Sequence, residues 1–270
     1  MNRPTRILSD IHFGHPASAV RDPDQLAPLL EGVQRAIFNG DSVEMRFVEE
    51  RPQAKEDIQR LHALCDKAGV ERTFVTGNHD PLISTTNHVE LAGGGVLVTH
   101  GDVLFEGLSP WSREADVLIS AHREAREALS DPGDLQQQLG ATKRAALAIE
   151  HLGHSLRCTS GKSLRNFLYE FWPPLRPFRI LTCWAAAPQR AAKIAEDYRP
   201  ETECVVFGHT HRSGVWRRGE RIVINTGSYL PLSGCLAVDV NADREVVVRK
   251  VVRSEKLFRL GKEVARFPVG

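Results

Sequence analysis

The chain has 270 residues, and its 35 Lys and Arg against 34 Asp and Glu give a formal net charge of +1. That length predicts one or two domains, and 41% hydrophobic with 26% charged residues is the composition of a soluble globular protein. The balanced charge excludes the whole-chain footprint of a dedicated nucleic-acid binder, so no stable nucleic-acid partner is expected. The cysteines (Cys65, Cys158, Cys183, Cys204, Cys235) are scattered and form no CxxC pair. They exclude a disulfide framework and a thiolate zinc site, and point to buried free thiols in a reducing compartment. No run of 18 apolar residues free of charge occurs, so no transmembrane helix is expected. The first residues enter an apolar run with no room for a signal peptide, which makes the cytoplasm the expected address.

In chain order, Arg6-Ile7-Leu8-Ser9 is a short apolar run ending at Asp10-Ile11-His12, and Arg35–Asn39 repeats the pattern before Gly40-Asp41. Residues 53–68 then carry Ala54, Ile58, Leu61, Leu64, Cys65 and Ala68 at helical spacing. Thr73-Phe74-Val75-Thr76 leads into Gly77-Asn78-His79-Asp80, and Val96–Thr99 into His100-Gly101-Asp102. Gly93-Gly94-Gly95 precedes no helix and reads as a plain turn into the next strand. Residues 113–129 and 134–152 are amphipathic helices by their apolar positions, and 188–198 looks helical again. Cys204–Phe207 then leads into Gly208-His209-Thr210-His211, followed by Val- and Ile-rich strands at Arg221–Asn225, Cys235–Val240 and 245–252. Alternating strand and helix predict an α/β sheet with polar motifs at the carboxyl ends of its strands, and the trailing strands a second sheet packed on the first. Residues 107–200 are expected to form a helical cap insertion, with 1–106 and 201–270 as the core.

The motifs share one chemistry. In Asp10-x-His12, side chains at i and i+2 of a strand end reach the same side, and His209-x-His211 repeats that spacing. Asp41 offers two oxygens that can bridge two ions, Asn78 a neutral carbonyl, and His100 a further imidazole. Gly40, Gly77 and Gly208 suit tight strand-to-loop turns. Enough hard oxygen and imidazole donors are present for two divalent metals, and a pair of metals about 3.5–4 Å apart clamps the attacking and leaving oxygens of phosphoryl transfer. Mixed imidazole and carboxylate donors suit Mn, Fe, Zn or Ni, with Mn first, over an all-oxygen Mg or Ca cage. Of the other histidines, His15 sits just past the DxH loop, where it can line the site; His62, His88, His122, His151 and His154 lack such context.

These residues resemble the calcineurin-like metallophosphoesterase superfamily, whose pattern is DxH, GD, GNH(D/E), an isolated His and GHxH. All five blocks stand in order across about residues 5–102 and 202–240, with every ligand position filled. The resemblance implies a four-layer α/β/β/α sandwich with a helical cap insertion. It implies one metal held by Asp10, His12, Asp41 and His211, and a second by Asp41, Asn78, His100 and His209. It makes His79 the general acid beside the leaving oxygen, after in-line attack by a metal-activated hydroxide; Asp80 is expected to orient His79, with Asp102 and Asn225 as weaker supporting residues. The reaction implied is hydrolysis of a phosphate ester or anhydride.

From His151 to Trp184 the chain carries Arg157, Lys162, Arg165, Arg176 and Arg179 against one acid, Glu170, together with Phe167, Tyr169, Phe171, Trp172, Phe178 and Trp184. Such a stretch is either a small core under arginine stems or a basic aromatic cap for an anionic amphiphile or a membrane surface. The second possibility resembles the UDP-2,3-diacylglucosamine pyrophosphatases of lipid A synthesis, which also place a basic helical insert before GHTH. It implies a lipid-linked diphosphate substrate and peripheral contact at the inner membrane face. That subfamily usually has Arg where this chain has His79, and its block after GHTH usually ends differently from Asn225-Thr226-Gly227-Ser228. A phosphorylated small molecule is the broader expected partner, and a non-catalytic scaffold on the same fold is the alternative from a different class.

Overall fold

The computed structural model describes residues 3–152, 176–231 and 233–270. Eleven strands among these residues form two sheets. In the first, β1 (Thr5–Leu8), β2 (Arg35–Asn39) and β3 (Glu71–Val75) run parallel, and β9 (Cys235–Val240), β10 (Glu245–Ser254) and β11 (Leu257–Pro268) extend it antiparallel in the order β11-β10-β9-β1-β2-β3. The second has the order β4-β5-β6-β8-β7, from β4 (His88–Leu91), β5 (Val96–Thr99), β6 (Cys204–Phe207), β7 (Gly214–Arg218) and β8 (Arg221–Asn225), with β5, β6 and β8 parallel.

Strand alternation decides what each sheet buries. Ile7, Ile37 and Val75 of the first sheet meet Val96, Val98, Val206 and Ile224 of the second in one core between them. Their neighbours Leu8, Phe38 and Phe74 face outward and pack against α1 (Arg51–Ala68) through Leu61, Leu64 and Cys65. Pro52 at the first turn and Gly69, at φ 63° just past the last, delimit that helix. On the other flank Val205, Phe207 and Val223 pack against α4 (Arg176–Tyr198) through Ala187, Ala191 and Ala195, a stripe of small side chains four residues apart that lets the helix lie close to the sheet. Helix, sheet, sheet and helix are thus the four layers the sequence leads one to expect.

Two helices stand between the sandwich halves in sequence, α2 (Ala115–Glu127) and α3 (Leu135–Leu147), the latter started by Asp134, whose side chain accepts from the Gln136 amide at 2.9 Å. They are not detached from the core. Leu135 and Leu139 pack on Leu97 of β5, and α4, which belongs to the same stretch of chain, is itself the outer layer of the second sheet. Among the described residues α4 is already helical at Arg176, twelve residues before the expected position 188, and it carries Pro188 in its interior. Ion pairs tie the loop after β2 to this region, with Arg46 to Glu114 at 2.9 Å and Arg51 to Glu150 at 2.5 Å. Of the basic aromatic stretch, Cys158, Arg157, Lys162, Arg165, Phe167, Tyr169, Glu170, Phe171 and Trp172 lie outside the described residues, as does His154.

Candidate metal centre

The carboxyl ends of β1, β2, β3, β5 and β6 open into loops at one end of the sandwich, and backbone hydrogen bonds lace those loops together. The ladder of β1 and β2 continues past the strands, through Asp10 N to Gly40 O at 3.1 Å, His12 N to Asp41 O at 2.8 Å and Phe13 N to Ser42 O at 2.9 Å. Gly208 N reaches His100 O at 2.8 Å, and Met45 N reaches His79 O at 3.0 Å. A side chain at position 208 has no room, since a Cβ there would stand 2.0 Å from Asp10 Oδ2. Asp10, His12, Asp41, His209 and His211 all adopt left-handed backbone angles, with φ between 50° and 65°. Each such residue costs on the order of 1–3 kcal/mol, a strain that clusters at functional sites.

Asp10, His12, Asp41 and His211 form one group whose donor atoms all lie within 4.8 Å of one another, and Asp41, His100 and His209 form a second. Asp41 belongs to both. Asn78 joins the second group, its Oδ1 3.2 Å from His100 Nε2. The outward nitrogen of each buried imidazole is already engaged, leaving the other turned inward. His12 Nδ1 meets Glu44 Oε1 at 2.7 Å, His100 Nδ1 meets Asn39 O at 3.1 Å, and His209 Nε2 meets Leu108 O at 3.0 Å. Inside, His12 Nε2 and His211 Nε2 stand 3.2 Å apart and His211 Nε2 is 3.2 Å from Asp10 Oδ1. Asp41 Oδ1 is 3.3 Å from His100 Nε2 and its Oδ2 3.8 Å from His12 Nε2.

The electrostatics suit cations. Burial acts to raise the Asp41 carboxyl, but the charge of His100, then of His79, holds it well below the usual range. Asp10 is likewise lowered against its burial, chiefly by its hydrogen bond to His211. Glu44 is lowered too, with burial opposed by His79 and by its hydrogen bonds to His12 and His79. This negative potential draws protons inward: burial would lower His12, yet its hydrogen bond to Glu44 and the surrounding carboxylates lift it to about 9. His100 rises well above its ordinary value against the same burial, through Asp41. His209 is pushed down to about 3 by burial and by His100, and stays a neutral donor. Two converging sets of inward nitrogen and oxygen atoms sharing one ionised carboxylate fit two divalent ions better than they fit protons.

The expected ligands Asp10, His12, Asp41, Asn78, His100, His209 and His211 are thus brought together. His79 lies beside them, its ring 4.9 Å from that of His12 and its side chain 23% exposed to the cleft. Asp80 does not touch the His79 ring. Its Oδ1 accepts from the amides of Asp41 at 2.9 Å and Gly77 at 2.8 Å, and its Oδ2 from Ser42 at 2.6 Å. It clamps the two loops while burial and the nearby Asp41 charge raise it to about 7. The carboxylate on His79 is that of Glu44, whose Oε2 is 2.9 Å from Nδ1. Sequence reasoning passed over Glu44; its signal was a carboxylate three residues after Asp41. Asn225 supports the last motif, donating to Gly208 O at 2.9 Å and Thr210 Oγ1 at 2.8 Å. Asp102 accepts from the adjacent Val103 N at 3.1 Å, and burial raises it to about 6. Trp184 also reaches the centre's edge, its Nε1 donating to Thr210 O at 2.7 Å with Arg212 5.7 Å over its ring.

No family model and no curated protein sequence matches the chain. Among solved structures it is similar to a predicted phosphoesterase from Streptococcus pneumoniae TIGR4, at 15% identity over 97% of this chain and 98% of that one, with a TM-score of 0.41. It is similar to a dimetal phosphatase from Danio rerio at 12% identity over 92% and 95%, TM-score 0.47. A zinc complex of Vps29 from Entamoeba histolytica aligns at 11% identity over 97% and 98%, TM-score 0.45.

Proposed function

We propose that the chain is a metal-dependent phosphohydrolase of the calcineurin-like kind, using two divalent ions, manganese first among them, to cleave a phosphate ester or anhydride in the cytoplasm. The observation that supports this most is the placement of Asp41 in both donor groups, next to a cleft-facing His79. Asp10, His12, Asp41 and His211 would hold one ion, and Asp41, Asn78, His100 and His209 the other. When bound, the ions supply Lewis acidity and charge neutralisation for phosphoryl transfer. The chain's own residues supply the rest. Glu44 fixes His12 through Nδ1, so that its Nε2 stays inward, and holds His79 through Nδ1, so that its Nε2 faces the leaving oxygen to which it gives a proton. Asp80 keeps the Asp41 and Gly77 loops in register.

The test is purified protein assayed for bound metal and offered phosphomonoesters, cyclic and linear diesters, nucleoside-diphosphate sugars and UDP-diacylglucosamine, with products read by mass spectrometry. Two equivalents of metal with hydrolysis of any member supports the proposal; a well-folded, metal-free and inert protein sinks it and favours a scaffold. Release of UMP from the acylated sugar nucleotide alone would select the lipid-precursor substrate and peripheral membrane contact.

A further inference from the structure

We propose that His15 contacts substrate directly, its Nε2–H donating a hydrogen bond to an oxygen of the phosphoryl group being cleaved; this rests on the phosphohydrolase reading of the centre. His15 is half-buried at the rim, its ring 6.2 Å from that of His12 and inclined to it by 61°. The amide of Ala17 donates to its Nδ1 at 3.0 Å. Nδ1 therefore carries no proton, and a neutral ring bears its proton on Nε2. Among the described residues nothing accepts from Nε2, so the ring presents an oriented donor with no protein partner.

The loop that carries it is pinned on every side. His15 N binds His12 O at 2.9 Å and Ser18 N binds His15 O at 3.0 Å. The Arg21 guanidinium clasps the carbonyls of His15 at 3.4 Å and Pro16 at 2.6 Å. Gly14, at φ 94°, lies so close to α1 that a Cβ would stand 2.7 Å from Asp57 Oδ2. A donor fixed before its ligand arrives needs no reorganisation during reaction, which is where a hydrogen bond to growing negative charge is worth most. The ring borders a groove of about 290 Å³ lined also by Phe13, Arg21, Gln53 and Arg60, with the Arg60 guanidinium 4.9 Å over the Phe13 ring. That groove gives the remainder of a substrate somewhere to lie once His15 has gripped the phosphoryl oxygen.

The experiment uses full-length protein loaded with zinc and labelled with nitrogen-15 at its imidazoles, titrated with inorganic phosphate. The expected spectrum shows His15 as the Nε2–H tautomer, with that proton shifting as phosphate binds. Calorimetry on the same preparations should show phosphate affinity falling about tenfold or more in H15A at unchanged zinc content, and largely recovering in H15Q, whose amide can donate. Wild-type phosphate affinity in H15A, or an Nδ1–H tautomer in the native chain, overturns the proposal while leaving the centre intact. Wild-type protein that takes up no zinc, or takes it up and binds no phosphate, overturns the phosphohydrolase reading and this inference together.

Discussion

His100 and His209 are 1% and 3% exposed, whereas the side chains of His211 and His79 are 29% and 23% exposed. The two donor groups that share Asp41 thus differ at one edge: Asp10 and His12 are buried as fully as His100 and His209, and His211 opens its group toward the surface beside His79. The closed group is bounded by backbone, through Asn39 O on His100 and Leu108 O on His209. The open one is organised by a side chain, Glu44, which serves His12 and His79 at once. Burial and main-chain acceptors make a site rigid; a carboxylate shared between His12 and His79 couples the orientation of the two rings.

Asp41→Asn should have the largest effect, because that carboxylate belongs to both donor groups. Turnover should fall by about 10³-fold or more, and metal analysis should show both ions weakened. Retention of either ion at full affinity would refute the shared role. His79→Asn should cost about 10²–10⁴-fold in turnover while two equivalents of metal remain; a normal rate would remove it from the chemistry. Glu44→Gln should cost about 10–100-fold and weaken only the ion on the His211 side, so equal loss of both would show that the two groups are not independent. Titration with a chelator should be biphasic, the ion on the His211 side leaving first, and a single phase would contradict the difference at that edge.

The smallest effect lies away from the centre. His122 is buried with Nδ1 accepting from Gly107 N at 3.2 Å, and burial with the Arg126 charge pushes it down to about 4. A histidine lowered on folding stabilises the native state fully above its unfolded value of about 6.5, and that contribution is lost as pH falls toward 4. Melting temperature should therefore decline across that window, and the decline should flatten in His122→Gln; identical acid limbs would remove His122 as its cause.

The convergence of these donor residues was legible because each member ends or closely follows an apolar run, so residue type and position both pointed to one place. The strands they follow were legible for the same reason: Ile7, Ile37 and Val206 alternate with Leu8, Phe38 and Phe207 in runs too short for helices. Glu44 was hidden because its role depends on two imidazoles from different loops meeting it in space. Asp80 misled for the converse reason. Adjacent residues in a turn point apart, and while His79 faces the cleft, Asp80 turns inward to three amides. The edge strands β4, β7 and β11 escaped notice because charged residues such as Glu90, Arg217, Lys262 and Glu263 dilute their apolar pattern, as suits strands with one free side. Pro188 resembled a helix start, yet α4 runs through it, with the apolar stripe at Ala187, Ala191 and Ala195 anchored on the sheet.

The pairs Arg46–Glu114 and Arg51–Glu150 bracket the loop that begins just after Glu44. Transplanting α2 and α3 with their flanking residues Glu114 and Glu150 onto another sandwich, or trimming them to a minimal chain, would thus disturb the carboxylate that contacts His12 and His79. The donor loops and the helical stretch of this protein are not separable cassettes: a designer or a lineage that exchanges the one must re-anchor the other in the same step.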